Sequence, residues 1–322
     1  MKAVITGSSG FIGTHLLEAL VRRGWQVRGL DCRFSASPLR GVEIVQGDIT
    51  DFEAVKTALQ GTDIVFHLAS ALGGSLLSRD EFFRINAAGT ENVLRAARDL
   101  GVKKVVHFSS AGVLGAVRNG ETADEEYPAS PRTVYDKSKL RGEECALGFA
   151  REGLHVVITR PGWAYGPRDR RTLKLIQGIA KRQFLLVAGG RGRQTPVFVE
   201  DLVEGAVLLA EKGRPGEIYN IAGPRVMTVG EMSEGIAKAL GTRIKRFSLP
   251  ALPAQTAAFI LEVLFSPLKK EAPLTRGKLS FFLHSKPLSI RKAKEELGFS
   301  PQTDFAAGMA RTVTWYRENG WL

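Results

Sequence analysis

A chain of 322 residues, 44% hydrophobic and 24% charged, has the composition of a soluble enzyme with room for a sizeable core, as one large domain or two smaller ones. Its two cysteines, Cys32 and Cys145, exclude a disulfide framework and suit a reducing compartment. The net charge of +12 comes without a nucleic-acid motif, so nucleic acid is not an expected partner and the charge reads as phosphate-directed, surface-solubilising or both.

Lys2–Thr6 is a short apolar run that starts at the initiator methionine with no leader pattern ahead of it, so a cytoplasmic location is expected. Phe11, Ile12, Leu16, Leu17, Leu20 and Val21 then recur at helical spacing. Between them, Thr6-Gly7-Ser8-Ser9-Gly10-Phe11-Ile12-Gly13 joins a buried strand to a helix, the context in which a glycine turn seats a dinucleotide. Gly7 serves the tight turn, Gly10 lets a pyrophosphate approach the backbone, and Gly13 lets the helix lie close on the sheet. A second strand at Trp25–Leu30 ends at Asp31, placed to accept hydrogen bonds from the adenosine ribose hydroxyls. A carboxylate there favours NAD, while Arg33 and Arg40 nearby leave NADP as the alternative cofactor.

Strand-like runs continue at Val42–Gln46, Asp63–His67, Lys104–Ser109 and Leu154–Arg160, with helical patterns at Asp51–Leu59, Asp80–Leu100 and Val134–Glu152 between them. This alternation implies a doubly wound parallel α/β sheet of Rossmann type, covered on both faces. Its carboxyl edge would bring together Asp48, the segment after His67, Ser109-Ser110 and Pro161-Gly162. Tyr135 and Lys139 stand i and i+4 on a predicted helix and share one face. A neighbouring ammonium, assisted by an oxidised nicotinamide, is expected to lower the phenol's pKa and make Tyr135 a general base or acid. Ser110 would orient the reacting oxygen, and Lys139 would also hold the nicotinamide ribose. No metal is expected.

Beyond residue 167 the pattern loosens into a smaller, mostly helical region, giving expected units of 1–167 for the dinucleotide and 168–322 for the substrate, with partial return to the sheet around 194–222. Arg168–Arg193 carries eight Lys/Arg against one Asp, and its arginines could clamp a diphosphate or form a solvated basic loop. Pro250–Leu268 is strongly apolar, but its length, Gln255 and Glu262 argue against a membrane span. A buried helix, a lid over an apolar substrate and an interfacial helix are the open readings, so peripheral membrane contact stays among the expected interactions.

Together these residues resemble the extended short-chain dehydrogenase/reductase superfamily over nearly the whole chain. The resemblance implies that Gly7, Gly10, Phe11, Ile12 and Gly13 bind the cofactor, with Asp31 and Arg33 at the adenosine ribose and Asp48-Ile49 at the adenine. It implies that Leu68-Ala69 line the phosphate and ribose side, that Asn86 supports the active-site helix, and that Ser110, Tyr135 and Lys139 are catalytic. Pro161 would meet the nicotinamide, with Trp163, Tyr165, Arg168 and Arg193 toward the substrate.

Sugar-nucleotide members usually carry an Arg-Asp-Phe-Val-type segment where this chain has Gln194-Thr195-Pro196-Val197. Glu271–Arg276, after the apolar stretch, resembles the C-terminal region of 3β-hydroxysteroid-dehydrogenase-like proteins. The expectation is therefore an NAD(P)-dependent oxidoreductase interconverting a secondary alcohol and a ketone. A nucleotide-sugar epimerase or dehydratase with tightly bound NAD is the alternative, and a non-catalytic dinucleotide-sensing scaffold the lesser one. By the same resemblance a homodimer would form through the two long helices Asp80–Leu100 and Val134–Glu152, with Leu140, Ala146, Leu147 and Phe149 as apolar surface.

Overall fold

Runs such as Val4-Ile5, Val65-Phe66, Val105-Val106 and Val156-Val157-Ile158 carry apolar residues on both faces, which suits only strands covered on both sides. They form the middle of a seven-stranded sheet in a computed structural model that describes residues 1–33, 42–73, 77–245, 247–265 and 274–322, with Lys278 by its backbone alone. The strands are β1 (Lys2–Thr6), β2 (Gln26–Asp31), β3 (Val42–Gln46), β4 (Ile64–His67), β5 (Lys104–Phe108), β6 (Val156–Pro161) and, after four short strands, β11 (Ile218–Ile221). Their order is β11-β6-β5-β4-β1-β2-β3, and every neighbouring pair is parallel. The order reverses between β1 and β4, which opens a ligand crevice at their carboxyl ends.

One face is covered by α1 (Phe11–Arg22) and α7 (Val199–Lys212), which bury Leu16, Leu20, Leu202 and Leu209. The other is covered by α2 (Phe52–Leu59), α4 (Gly89–Asp99) and α5 (Val134–Arg151), with Val55, Leu59, Val93, Leu94 and Ala146 inside. Each of the leucines and valines contributes about 1.5–3 kcal/mol of burial. Local signals start these helices where the sequence places them. Asp51 caps α2, and Thr133 with Asp136 forms a capping box on α5. The Asp80–Leu100 pattern appears as α3 (Arg79–Phe83), a π-helical turn at Arg84–Ala88, and α4.

The C-terminal region adds α6 (Arg170–Ala180), α8 (Val229–Leu240) and α11 (Phe305–Glu318), which enclose a second core of Phe198, Met232, Phe305 and Tyr316. The pair β7 (Trp163–Tyr165) and β10 (Pro196–Phe198) links this core to the sheet, and β11 lies beside β6. The Pro250–Leu268 stretch forms α9 (Ala251–Phe265), packed on α10 (Arg276–Leu283). It is not a buried helix: only Ala254 and Ala258 are buried, because small residues alone meet the body of the protein. Residues 266–268 and Glu271–Pro273 lie outside the described residues.

Beneath the crevice, His67 and His107 stand side by side on β4 and β5 with ring centroids 5.3 Å apart. His67 is bonded through Nδ1 to Thr6 Oγ1 at 2.7 Å and through Nε2 to Thr90 Oγ1 at 2.9 Å. Among the described residues neither ring nitrogen of His107 has a partner. Burial and the nearby Lys139 hold both imidazoles well below their ordinary pKa, His67 at about 3. The unfolded chain then takes up protons that the folded chain refuses, so stability is lost as pH falls from about 6.5 towards 3. We predict that His107→Leu flattens this acid slope, measured as unfolding free energy by urea titration between pH 7 and pH 4. An unchanged slope would show that His107 is not held neutral.

Candidate active site

The glycine turn is forced by sterics. Gly7 has φ +73°, and a Cβ there would lie 2.8 Å from the Ala69 nitrogen, so the β1 and β4 ends meet backbone to backbone. A Cβ on Gly13 would fall 2.2 Å from the Gly7 carbonyl oxygen, which fixes α1 against the turn. Gly10 differs. Its φ is −73°, and a Cβ would touch only the Gly7 oxygen, at 3.1 Å. Gly10 caps α1 without a side-chain hydrogen bond, and the first turn, starting at Phe11 and Ile12, has no acidic residue. A helix start with free N–H groups, no carboxylate and an open backbone approach fits a pyrophosphate.

Asp31, expected at the adenosine ribose, lies beside the glycine turn. Its carboxylate accepts hydrogen bonds from the backbone N–H of Ser9 and of Arg33, both at 2.9 Å, and so stands fixed against the turn. Ser9 Oγ donates to the Arg33 carbonyl. Arg40 lies outside the described residues. Asp48 is exposed at the end of β3, with one carboxylate oxygen accepting from the Thr50 N–H. Ile49 is buried against Gly89, where a Cβ would come within 2.7 Å of it. Leu68 and Ala69 follow β4 directly, their N–H groups donating to the carbonyl and hydroxyl of Thr6.

Asn86 sits in the π-helical turn with all its polar capacity directed inward. Its Oδ1 accepts from the Ala71 N–H at 2.7 Å, and its Nδ2 donates to the Ala71 carbonyl and, at 2.9 Å, to Ser138 Oγ on α5. It thereby ties the loop after β4 to α5. Gly142 completes the seam, since a Cβ there would lie 2.5 Å from the Asn86 carbonyl.

The reactive groups come from β5 and α5. Ser110 Oγ accepts from the Gly112 N–H at 3.0 Å and lies close enough to the Tyr135 phenol to favour its ionised form. Lys139 is only 3% exposed, and its ammonium donates to the Phe108 carbonyl at 2.6 Å. Burial brings its pKa down to about 8 against the pull of the Glu143 carboxylate. The Tyr135 phenol lies above its ordinary pKa because burial outweighs the Arg171 guanidinium and the Ser110 hydrogen bond. The expected lowering, by the Lys139 ammonium assisted by an oxidised nicotinamide, concerns the cofactor-bound site; in the protein alone that ammonium donates to a main-chain carbonyl.

Glu143 escaped the sequence reading, although it continues the Tyr135–Lys139 row by another four residues. Its carboxylate accepts from Ser109 Oγ at 2.6 Å and takes Arg160 of β6 through both oxygens, at 2.5 and 3.1 Å. Removing one member of a buried pair of this kind costs about 3–5 kcal/mol.

The expected substrate residues do not converge. Trp163 is half-buried and packs on Phe281 of α10 with centroids 5.3 Å apart. Tyr165 is a core residue, 1% exposed and wedged between Phe198 and Phe305. Arg168 pairs with Glu18 of α1 at 2.6 Å and lines a crevice of about 700 Å³ with α7 and α11. Arg193 reaches the Glu121 carbonyl at 3.5 Å, and Arg170 lies over Trp321. Only Arg171 acts on Tyr135, and no sequence signal distinguishes it from its neighbours. Pro161 ends β6 opposite Ile221.

A phenol with a hydroxyl partner, a buried amine on the same helix and a dinucleotide turn in one crevice can move a proton at oxygen beside a hydride at carbon. Residues 3–222 match the family model described as the NAD dependent epimerase/dehydratase family. The chain belongs to that family. It is 31% identical to a 4-hydroxy-2-methyl-3-oxo-4-farnesyl-3,4-dihydroquinoline-1-oxide ketoreductase of Stigmatella aurantiaca, over 96% of this chain and 95% of that protein. It is 28% identical to a 3 beta-hydroxysteroid dehydrogenase/Delta 5-->4-isomerase of Mycobacterium tuberculosis, over 98% and 90% respectively. Among solved structures, dTDP-glucose 4,6-dehydratase from Streptomyces venezuelae, a double mutant with NAD and DAU bound, superposes with a TM-score of 0.80 at 28% identity, covering 100% of this chain and 98% of that one.

The three glycines of this family member carry different loads. Gly13→Ala should destabilise the fold by about 1–3 kcal/mol, since backbone must shift to admit the Cβ. Gly10→Ala should leave the melting temperature nearly unchanged yet weaken dinucleotide binding, read by calorimetric titration with NAD. Equal loss of stability in both variants would contradict this division.

Proposed function

We propose that the protein is an NAD-dependent oxidoreductase that interconverts a secondary alcohol and a ketone on a lipophilic substrate, in the manner of 3β-hydroxysteroid dehydrogenases. The observation that carries the lipophilic reading is Gln194. It stands where sugar-nucleotide members usually have an arginine, and its amide donates to the Phe281 and His284 carbonyls, both at 3.1 Å. Its donors are spent on holding α10 beside Trp163, so an aromatic wall replaces a phosphate clamp. The dispersal of Arg168, Arg170 and Arg193 to separate partners supports the same reading. The relative that reduces a farnesylated ketone agrees with it.

The fixed Asp31 carboxylate favours NAD, because it would repel a 2′-phosphate. Bound NAD supplies the hydride acceptor for alcohol oxidation, or the donor when reduced. Tyr135 takes the alcohol proton or returns it to the carbonyl oxygen, and Ser110 holds that oxygen by its hydroxyl. Lys139 lends positive charge to the phenol side of the crevice and offers its remaining donors to the nicotinamide ribose. Ser110, Tyr135 and Lys139 are all present, which speaks against a non-catalytic dinucleotide-sensing scaffold. A sugar-nucleotide epimerase or dehydratase is the second reading, favoured by Arg171 beside Tyr135 and by the dehydratase-like fold. We also propose a homodimer through α4 and α5. Leu140, Leu147 and Phe149 are half-buried there, packed in part against the core, whereas Ala146 is fully buried in it.

Tyr135→Phe should abolish turnover while leaving NAD affinity nearly intact, and retention of more than about a tenth of kcat would remove Tyr135 as the acid/base. In a paired assay, the wild type should consume NADH with a steroid or prenylated ketone and leave UDP- and dTDP-glucose unchanged. Cofactor-silent sugar conversion would replace the lipophilic reading by the epimerase one.

A further inference from the structure

We infer that α9 is a membrane-docking helix that lies in the surface of an anionic bilayer. At 100° per residue, Phe259, Leu252, Val263, Ile260 and Leu264 fall within an arc of about 140° on its outer side. These five side chains are 50–75% exposed, and Phe247, just before the helix, is 63% exposed. Ten large apolar side chains are exposed among the described residues, and six of them lie between Phe247 and Leu264, so the exposure is one patch and not scatter.

The inner side is fully accounted for. Ala254 and Ala258 pack with Val187 and Leu279. Glu262, the only charged residue of α9, accepts from the Arg276 N–H at 2.8 Å and from Arg276 Nε at 2.7 Å. The outer arc therefore has no charged side chain of its own: Thr256 is the polar residue within it, and the Arg276 guanidinium lies over the Phe259 ring at its edge, 5.3 Å from the centroid.

Charge selects the occupant. From Arg243 to Lys278 the sequence holds seven Lys/Arg against two Asp/Glu, within a chain of net charge +12. A second copy would bring like charge to like charge, whereas anionic headgroups complement it. At 15 residues, α9 is about 22 Å long against a hydrocarbon core of about 30 Å, and no described helix is long and apolar enough to cross a membrane. It therefore lies in the interface plane, apolar face down. Because α10 connects α9 to Gln194 and Trp163, docking sets the mouth of the crevice beside the lipid. Docking itself is independent of which substrate the crevice accepts.

The test is co-sedimentation of the full-length protein with phosphatidylcholine vesicles containing about one-third phosphatidylglycerol, against pure phosphatidylcholine. The wild type should bind the anionic vesicles at least about tenfold more tightly than the neutral ones, with binding weakened by salt. Phe259→Ser with Leu264→Ser should lower binding about tenfold or more at an unchanged melting temperature. Val263→Trp, which keeps the face apolar, should gain an emission that shifts to the blue on the same vesicles and is quenched by brominated lipid. Absence of binding, equal binding of wild type and double variant, or an unshifted Val263→Trp emission would overturn the inference. So would a dimer that the double variant converts to monomer, since the patch would then belong to a second copy.

Discussion

A lysine ammonium kept inside a protein needs a carbonyl and a carboxylate to hold it, and supplying both organises the carboxyl edge of this sheet. Phe108 provides the carbonyl at the end of β5, and Glu143 provides the carboxylate one helical turn beyond Lys139. Glu143 cannot stand buried alone, so Arg160 comes from β6 to meet both its oxygens, and Ser109 adds a third contact. Three elements are thereby locked in one register: β5, β6 and α5. Asn86 adds the loop after β4 through Ser138, and Gly142 allows the approach that this requires. Tyr135 and Ser110 then meet because the helix and strand that carry them have no other relative position.

The sequence made the parallel sheet and the crevice at its carboxyl edge readable because each rests on short-range rules. The turn at Gly7–Gly13, the acid at Asp31 and the Tyr135–Lys139 spacing each state their geometry within a few residues. What stayed hidden depends on partners distant in sequence. Nothing near Arg168 announces that Glu18 will take its charge, and nothing near Tyr165 says that Phe305 will bury it. Glu143 was legible as the next step of the helix row, but its meaning came only with Arg160. The Tyr135–Lys139 spacing likewise does not announce that the Phe108 carbonyl receives the amine.

The basic segment 168–193 and the apolar helix α9 suggested opposite substrates. The structure separates them physically. Arg168, Arg170 and Arg193 disperse to Glu18, Trp321 and the Glu121 carbonyl, whereas Arg171 acts on Tyr135. The α9–α10 pair, in contrast, is stitched to Gln194 and faces Trp163. A neutral amide in that position lets the pocket wall be aromatic, and the exposed face of α9 continues the apolar character outward.

The central claim is that this crevice delivers a hydride to a free carbonyl carbon. Reduction of a prenylated or steroid ketone with NADH deuterated at the nicotinamide C4, followed by mass spectrometry and NMR of the product, tests it directly. The account predicts one deuterium, on the carbinol carbon, delivered from a single face of C4. Unlabelled alcohol from both the 4R- and the 4S-deuterated NADH, or label at another carbon, would contradict it.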